Sequence, residues 1–116
     1  MMSRIIMFIL LGAFVISGCA SVEDRAQRVR SQYPQWDEAT VQKVAAKQVE
    51  MGMTPEMVTA ALGKPDAVSQ QGDEEKWGYA LIYAGFDGPA RKKFVYFVYF
   101  KDGHVVRMEG DRRRLP

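Results

Sequence analysis

The chain has one cysteine and one histidine among 116 residues. A single cysteine excludes an intramolecular disulfide framework, and a single histidine excludes the usual His-rich metal sites. Charge of one sign is scarce as well: 16 basic residues stand against 14 acidic, a net +2. That balance argues against a nucleic-acid binder working by phosphate neutralisation. The longest apolar run, Ile5 to Ile16, falls short of the ~20 residues that span a bilayer. At this length there is room for one domain and none for a cofactor-binding half plus a substrate half. Catalytic constellations are missing too. No Gly-rich stretch resembles a phosphate loop, and Ser69 lacks the surroundings of a nucleophile elbow. His104 flanks a turn, and Asp73-Glu74-Glu75 reads as a solvated hairpin tip. These absences point to a non-catalytic protein with neither cofactor nor metal.

What is present begins with an address. Arg4 precedes the apolar run, which ends in Ile16-Ser17-Gly18-Cys19. This resembles a bacterial lipobox, an aliphatic residue and two small ones before the cysteine that receives lipid. The small residues let the extended segment enter a peptidase site, and the thiolate is the nucleophile that is alkylated. Residues 1–18 are therefore expected to be a signal peptide, with Cys19 as the lipidation site. Each buried lipid CH₂ contributes ~0.8 kcal/mol, so the several acyl chains that the resemblance implies would hold the protein on the bilayer. Ala20, rather than Asp, follows the cysteine; by the sorting rule of such lipoproteins this implies the outer membrane, with the protein facing the periplasm. Residues 19–35 are polar and Arg-rich. Val22, Ala26, Val29 and Tyr33 form only a narrow helical stripe, so a solvated tether with transient helicity is expected.

A folded unit is expected over residues 36–110, with 111–116 as a basic tail. Asp37 can cap a helix carrying Val41, Val44, Ala45 and Val49 on one face, ended by Gly52. Thr54 caps a second helix with Pro55 at its first position and Val58, Ala61 and Leu62 on its apolar face. Gly63 and Pro65 stop it. The period then changes to two. Ala67 to Gln70 reads as a short strand, and Trp77, Tyr79, Leu81 and Tyr83 alternate with Gly78, Ala80 and Ile82. Phe94 to Phe100 is aromatic or β-branched throughout, Asp102-Gly103 is a hairpin turn, and Val105 to Glu109 is the returning strand.

Gly52-Met53-Thr54, Val58, Leu62-Gly63, Pro65, Trp77-x-Tyr79 and Lys101-Asp102-Gly103 together resemble the SmpA/OmlA, or BamE-like, domain of small outer-membrane lipoproteins. The resemblance implies an α+β fold: a two-helix hairpin on one face of a three-stranded antiparallel sheet, ααβββ. It further implies a non-catalytic scaffold or accessory factor in outer-membrane protein assembly or envelope integrity, with barrel-assembly components as partners. The alternative is a protein-binding or inhibitor module against another envelope protein.

Hairpin register suggests where a partner would dock. A two-residue Asp102-Gly103 turn sets Lys101 opposite His104 and Phe100 opposite Val105. Counting outward, Val95, Phe97, Tyr99, Val106 and Met108 share one uniformly apolar face, expected under the helices. Phe94, Tyr96, Val98, Phe100 and Arg107 share the other, expected to be an aromatic contact surface, with a homodimer as the simplest case.

Overall fold

The computed structural model describes residues 20–116. Cys19 and its expected lipidation lie outside the described residues. The chain divides after Ala46 into two compact units.

The first unit holds α1 (Ala20–Gln32) and α2 (Glu38–Ala45). Where a polar tether was expected, α1 is a formed helix of thirteen residues. Ala26 and Val29, from the narrow stripe, are buried. A helix so polar holds by tertiary ties rather than by propensity. The Arg25 Nε donates to the Ala45 carbonyl at 2.8 Å, satisfying an orphan acceptor in the last turn of α2. The Arg30 guanidinium donates to both carboxylate oxygens of Glu38, a bidentate pair. Those hydrogen bonds, with one from Gln42, hold the Glu38 carboxyl down at about 2. Tyr33 and Trp36 stack at 3.9 Å in the connection between the helices. Asp37 is the N-cap, accepting from the Thr40 N–H at 2.8 Å. The C-terminus of α2 departs from expectation: it stops at Ala45, and Lys47 takes φ 59°, so Gly52 does not end it.

The second unit holds α3 (Pro55–Leu62) and four strands: β1 (Ala67–Gln71), β2 (Glu74–Tyr83), β3 (Arg91–Lys101) and β4 (His104–Gly110). They form one antiparallel sheet in the order β1-β2-β3-β4. The fold is α+β, with four strands where the resemblance implied three; the fourth is β1, the short strand read from the sequence over Ala67 to Gln70. Thr54 caps α3 by accepting from the Met57 N–H. Gly52 has φ 89°. Its N–H donates to the Val105 carbonyl, and the Val105 N–H to the Met53 carbonyl, both at 2.8 Å. That stretch thereby covers the outer edge of β4 at Val105. The expected basic tail is tied down as well: the Asp111 N–H donates to the Val95 carbonyl, and Leu115 packs against the core.

Register decides which face is core. Asp102 (φ 52°) and Gly103 (φ 78°) make the two-residue turn, and Lys101 pairs with His104 and Phe100 with Val105 as expected. Beyond them the register shifts: Tyr99 pairs with Arg107 and Val98 with Met108, leaving Val106 as a bulge residue. A second shift lies between β2 and β3, where Tyr79 pairs with Tyr96 but Ala80 pairs with Phe94, leaving Val95 unpaired. Trp77, Tyr79, Val95, Tyr96, Val98, Phe100 and Val105 form the core with Met53 and Val58, and Met108 packs against it. This corrects the expected contact surface. Tyr96, Val98 and Phe100 are buried at 5% exposure or less, whereas Phe97 and Tyr99 lie on the opposite face with Phe94 and Arg107. The reason is non-local. Both faces of β3 are aromatic, so β3 cannot choose, and the bulky Trp77 and Tyr79 of its neighbour choose for it.

Candidate functional site

The residues placed by motif act as struts. Thr54 is a cap, Gly63 donates its N–H to the Thr59 carbonyl at 2.8 Å, and Met53, Val58, Trp77 and Tyr79 are core. Leu62 packs against that core, Gly103 makes the hairpin turn, and Pro65 follows the end of α3. A cleft of about 370 Å³ lies between Leu62, Lys64, Asp66, Tyr79 and Leu115. Two of its polar groups, Tyr79 and Asp66, are spent on structure. The Tyr79 hydroxyl donates to the Gly63 carbonyl at 3.0 Å, and the Asp66 carboxylate accepts from the Ala80 N–H at 2.8 Å. Burial, then the nearby Asp66 charge, pushes the Tyr79 hydroxyl far above the ordinary tyrosine range. It is a hydrogen-bond donor and not a base. Among the described residues no three His, Cys, Asp or Glu side chains gather as a metal site.

Interaction chemistry concentrates on the sheet face opposite the core, where cross-strand neighbours form rows. Ser69, Lys76, Tyr99 and Arg107 are successive register partners across all four strands. The Lys76 Nζ stands 4.4 Å from the Phe97 ring centre and 5.6 Å from that of Tyr99, and the Arg107 guanidinium lies 3.9 Å from Tyr99. Cations over aromatic faces contribute ~0.5–1 kcal/mol each when exposed. They also cover the ring, and Tyr99 is buried. Its hydroxyl donates to Glu109 at 3.1 Å, and Arg107 pairs with Glu74 at 3.2 Å and Glu109 at 3.3 Å. Lys76 has no ion-pair partner among the described residues.

The next row is Ala67, Gly78, Phe97 and Glu109. Two small residues leave the backbone bare there, and the stacked rings of Phe94 and Phe97, 6.0 Å apart, wall the gap. The result is a notch of about 150 Å³ lined also by Ser69 and Lys76. A Cβ at Gly78 would stand 2.9 Å from the Phe94 ring, so the missing side chain is what lets that ring lie there. Beyond the notch the β2–β3 hairpin carries Ile82, Tyr83 and Phe86 in exposed positions, followed by Arg91, Lys92 and Lys93.

Of the residues expected to bind a partner, the structure therefore brings Phe94 and Arg107 to this face and removes Tyr96, Val98 and Phe100 from it. Lys76, Gly78, Phe97 and Tyr99 were missed. The signal was the Lys76-x-Gly78-x-Ala80 alternation opposite Trp77 and Tyr79, which marks the outer face of β2 and, through pairing, that of β3.

The family model described as outer membrane protein assembly factor BamE domain matches residues 39–110, more than half of the chain. No curated protein and no solved structure matches.

Proposed function

The chain belongs to the BamE domain family of outer-membrane protein assembly factors, and from that premise we propose that it is a non-catalytic accessory scaffold in outer-membrane protein assembly. The observation that carries this reading is the family match across residues 39–110. The sheet's outer face supports it: cations, aromatic rings and a small apolar notch are the composition of a protein contact. In this reading Cys19 is acylated, the protein is anchored on the outer membrane facing the periplasm, and its partner is a barrel-assembly component.

Deletion of the chain is expected to lower the amount of folded, heat-modifiable barrel protein in the outer membrane. Restoration by the wild type but not by Cys19→Ala, which should accumulate as unprocessed precursor, ties the effect to the anchor. Barrel protein levels unchanged by the deletion would overturn the assembly reading, and palmitate incorporated equally by both forms would overturn the lipidation.

A further inference from the structure

The two edges of the sheet are treated differently. The edge of β4 is covered at Val105 by the chain itself, through the Gly52 and Met53 hydrogen bonds. Among the described residues the edge of β1 is open: it has one neighbour, β2, and all five of its residues are exposed. Sheets ordinarily blunt such an edge with lysine, proline, a bulge or a cover. Here Ala67-Val68-Ser69-Gln70-Gln71 carries no charge and no proline, and pairs with β2 without a register shift. Val68 stands 57% exposed. The edge is uncharged, regular and uncovered.

The notch lies immediately beside it. Ala67 and Ser69 are at once edge residues and notch walls. A strand added along β1 would extend both outer-face rows by one position. Its residue next to Ala67 would lean over Ala67 and Gly78 toward the rings of Phe94 and Phe97. Its residue next to Ser69 would lie two strand spacings, ~9.6 Å, from Lys76, with only a serine between. The first position suits an aromatic side chain. The second suits a glutamate that reaches Lys76, which has no ion-pair partner among the described residues. In the antiparallel sense, which every pairing in the sheet already uses, the glutamate comes first.

We infer that the β1 edge and the Gly78 notch together form a docking site for an extended segment of a partner protein, added as a fifth antiparallel strand and carrying an acidic residue two positions before an aromatic one. The inference rests on the scaffold reading and names the chemistry of the partner. The occupant is not a second copy: the chain's one acidic–x–aromatic triplet, Glu75-Lys76-Trp77, lies in β2, already paired on both sides. Main-chain hydrogen bonds supply affinity in this mode, and the notch and Lys76 supply selectivity.

The test is fluorescence anisotropy of detergent-solubilised full-length chain with a labelled peptide of sequence Ser-Thr-Glu-Thr-Phe-Thr-Ser. Saturable binding is expected. N-methylation at two successive residues, which blocks strand pairing, should weaken it about tenfold or more, as should replacing Phe by Ala. Ala67→Phe fills the notch from an exposed position and should weaken binding similarly at an unchanged melting temperature. Should that variant fail to fold, Lys76→Glu decides: it should lose the Glu peptide and gain the one with Lys in place of Glu. Absent binding, equal binding of the N-methylated peptide, or indifference to both variants would overturn the inference. In cells the two readings separate. If deletion leaves barrel assembly intact, the scaffold reading fails whatever the peptide does. If deletion impairs assembly and a folded Ala67→Phe restores it fully, only the docking site fails.

Discussion

Phe100→Ala should nearly unfold the second unit, whereas Phe94→Ala should leave it folded. Phe100 is 4% exposed, and its ring meets that of Trp77 at 4.6 Å, tilted by 57°. Val105 stands opposite it across the hairpin. Truncating a buried phenylalanine removes the transfer free energy of the ring and leaves a cavity, ~3–5 kcal/mol together. In a domain of this size each kcal/mol moves the melting temperature by roughly 4–8 °C, so a fall on the order of 15–30 °C is expected. Phe94 is 40% exposed and closes only the notch, so its removal should cost ~1 kcal/mol or less. Urea titrations in a Trp36→Phe background, followed by Trp77 fluorescence and by far-ultraviolet circular dichroism, would give both values and show whether the two probes coincide. A stable Phe100→Ala beside an unfolded Phe94→Ala would refute the reasoning. It would mean that β3 is slipped by one residue, with Phe94 in the core and Phe100 outside it.

Three other outcomes rest on local geometry. Gly110 has φ 90°, and a Cβ there would overlap the Val95 carbonyl oxygen; Gly110→Ala must move backbone, and a loss of ~2–3 kcal/mol by denaturant titration is expected. Thr54→Ala removes the cap on the Met57 N–H and should cost ~1 kcal/mol by the same measurement. The Glu38 carboxyl, held down by Arg30, should titrate at about 2 by carbon-detected NMR. Arg30→Ala should return it toward the ordinary ~4.3. Because the folded value lies below the unfolded one, the pair stabilises the first unit above the unfolded value. That contribution is lost as pH falls from there toward about 2.

Local chemistry, read from the sequence alone, settled the local structure. Asp37 and Thr54 are caps because their short side chains accept from N–H groups that no helical turn can satisfy. Asp102-Gly103 turns because both positions need positive φ, and Trp77 and Tyr79 face inward because strand alternation separates them from Gly78 and Ala80. Each of those rules acts within a few residues. What only the tertiary structure decided acts across the sheet. Pairing of Val98 with Trp77 and Tyr96 with Tyr79 turned Tyr96, Val98 and Phe100 inward and Phe97 and Tyr99 outward. One-residue bulges at Val95 and Val106 brought Val95 and Met108 to the core side, because a slip of one residue exchanges the faces of a strand. The helix over residues 20–32 escaped the sequence for a related reason. Its polar surface has little propensity to fold alone, and it is tied by Arg25 to a carbonyl twenty residues away and by Arg30 to Glu38. The notch over Gly78 belongs to the same class: three strands must be in register before two small residues and two rings enclose anything.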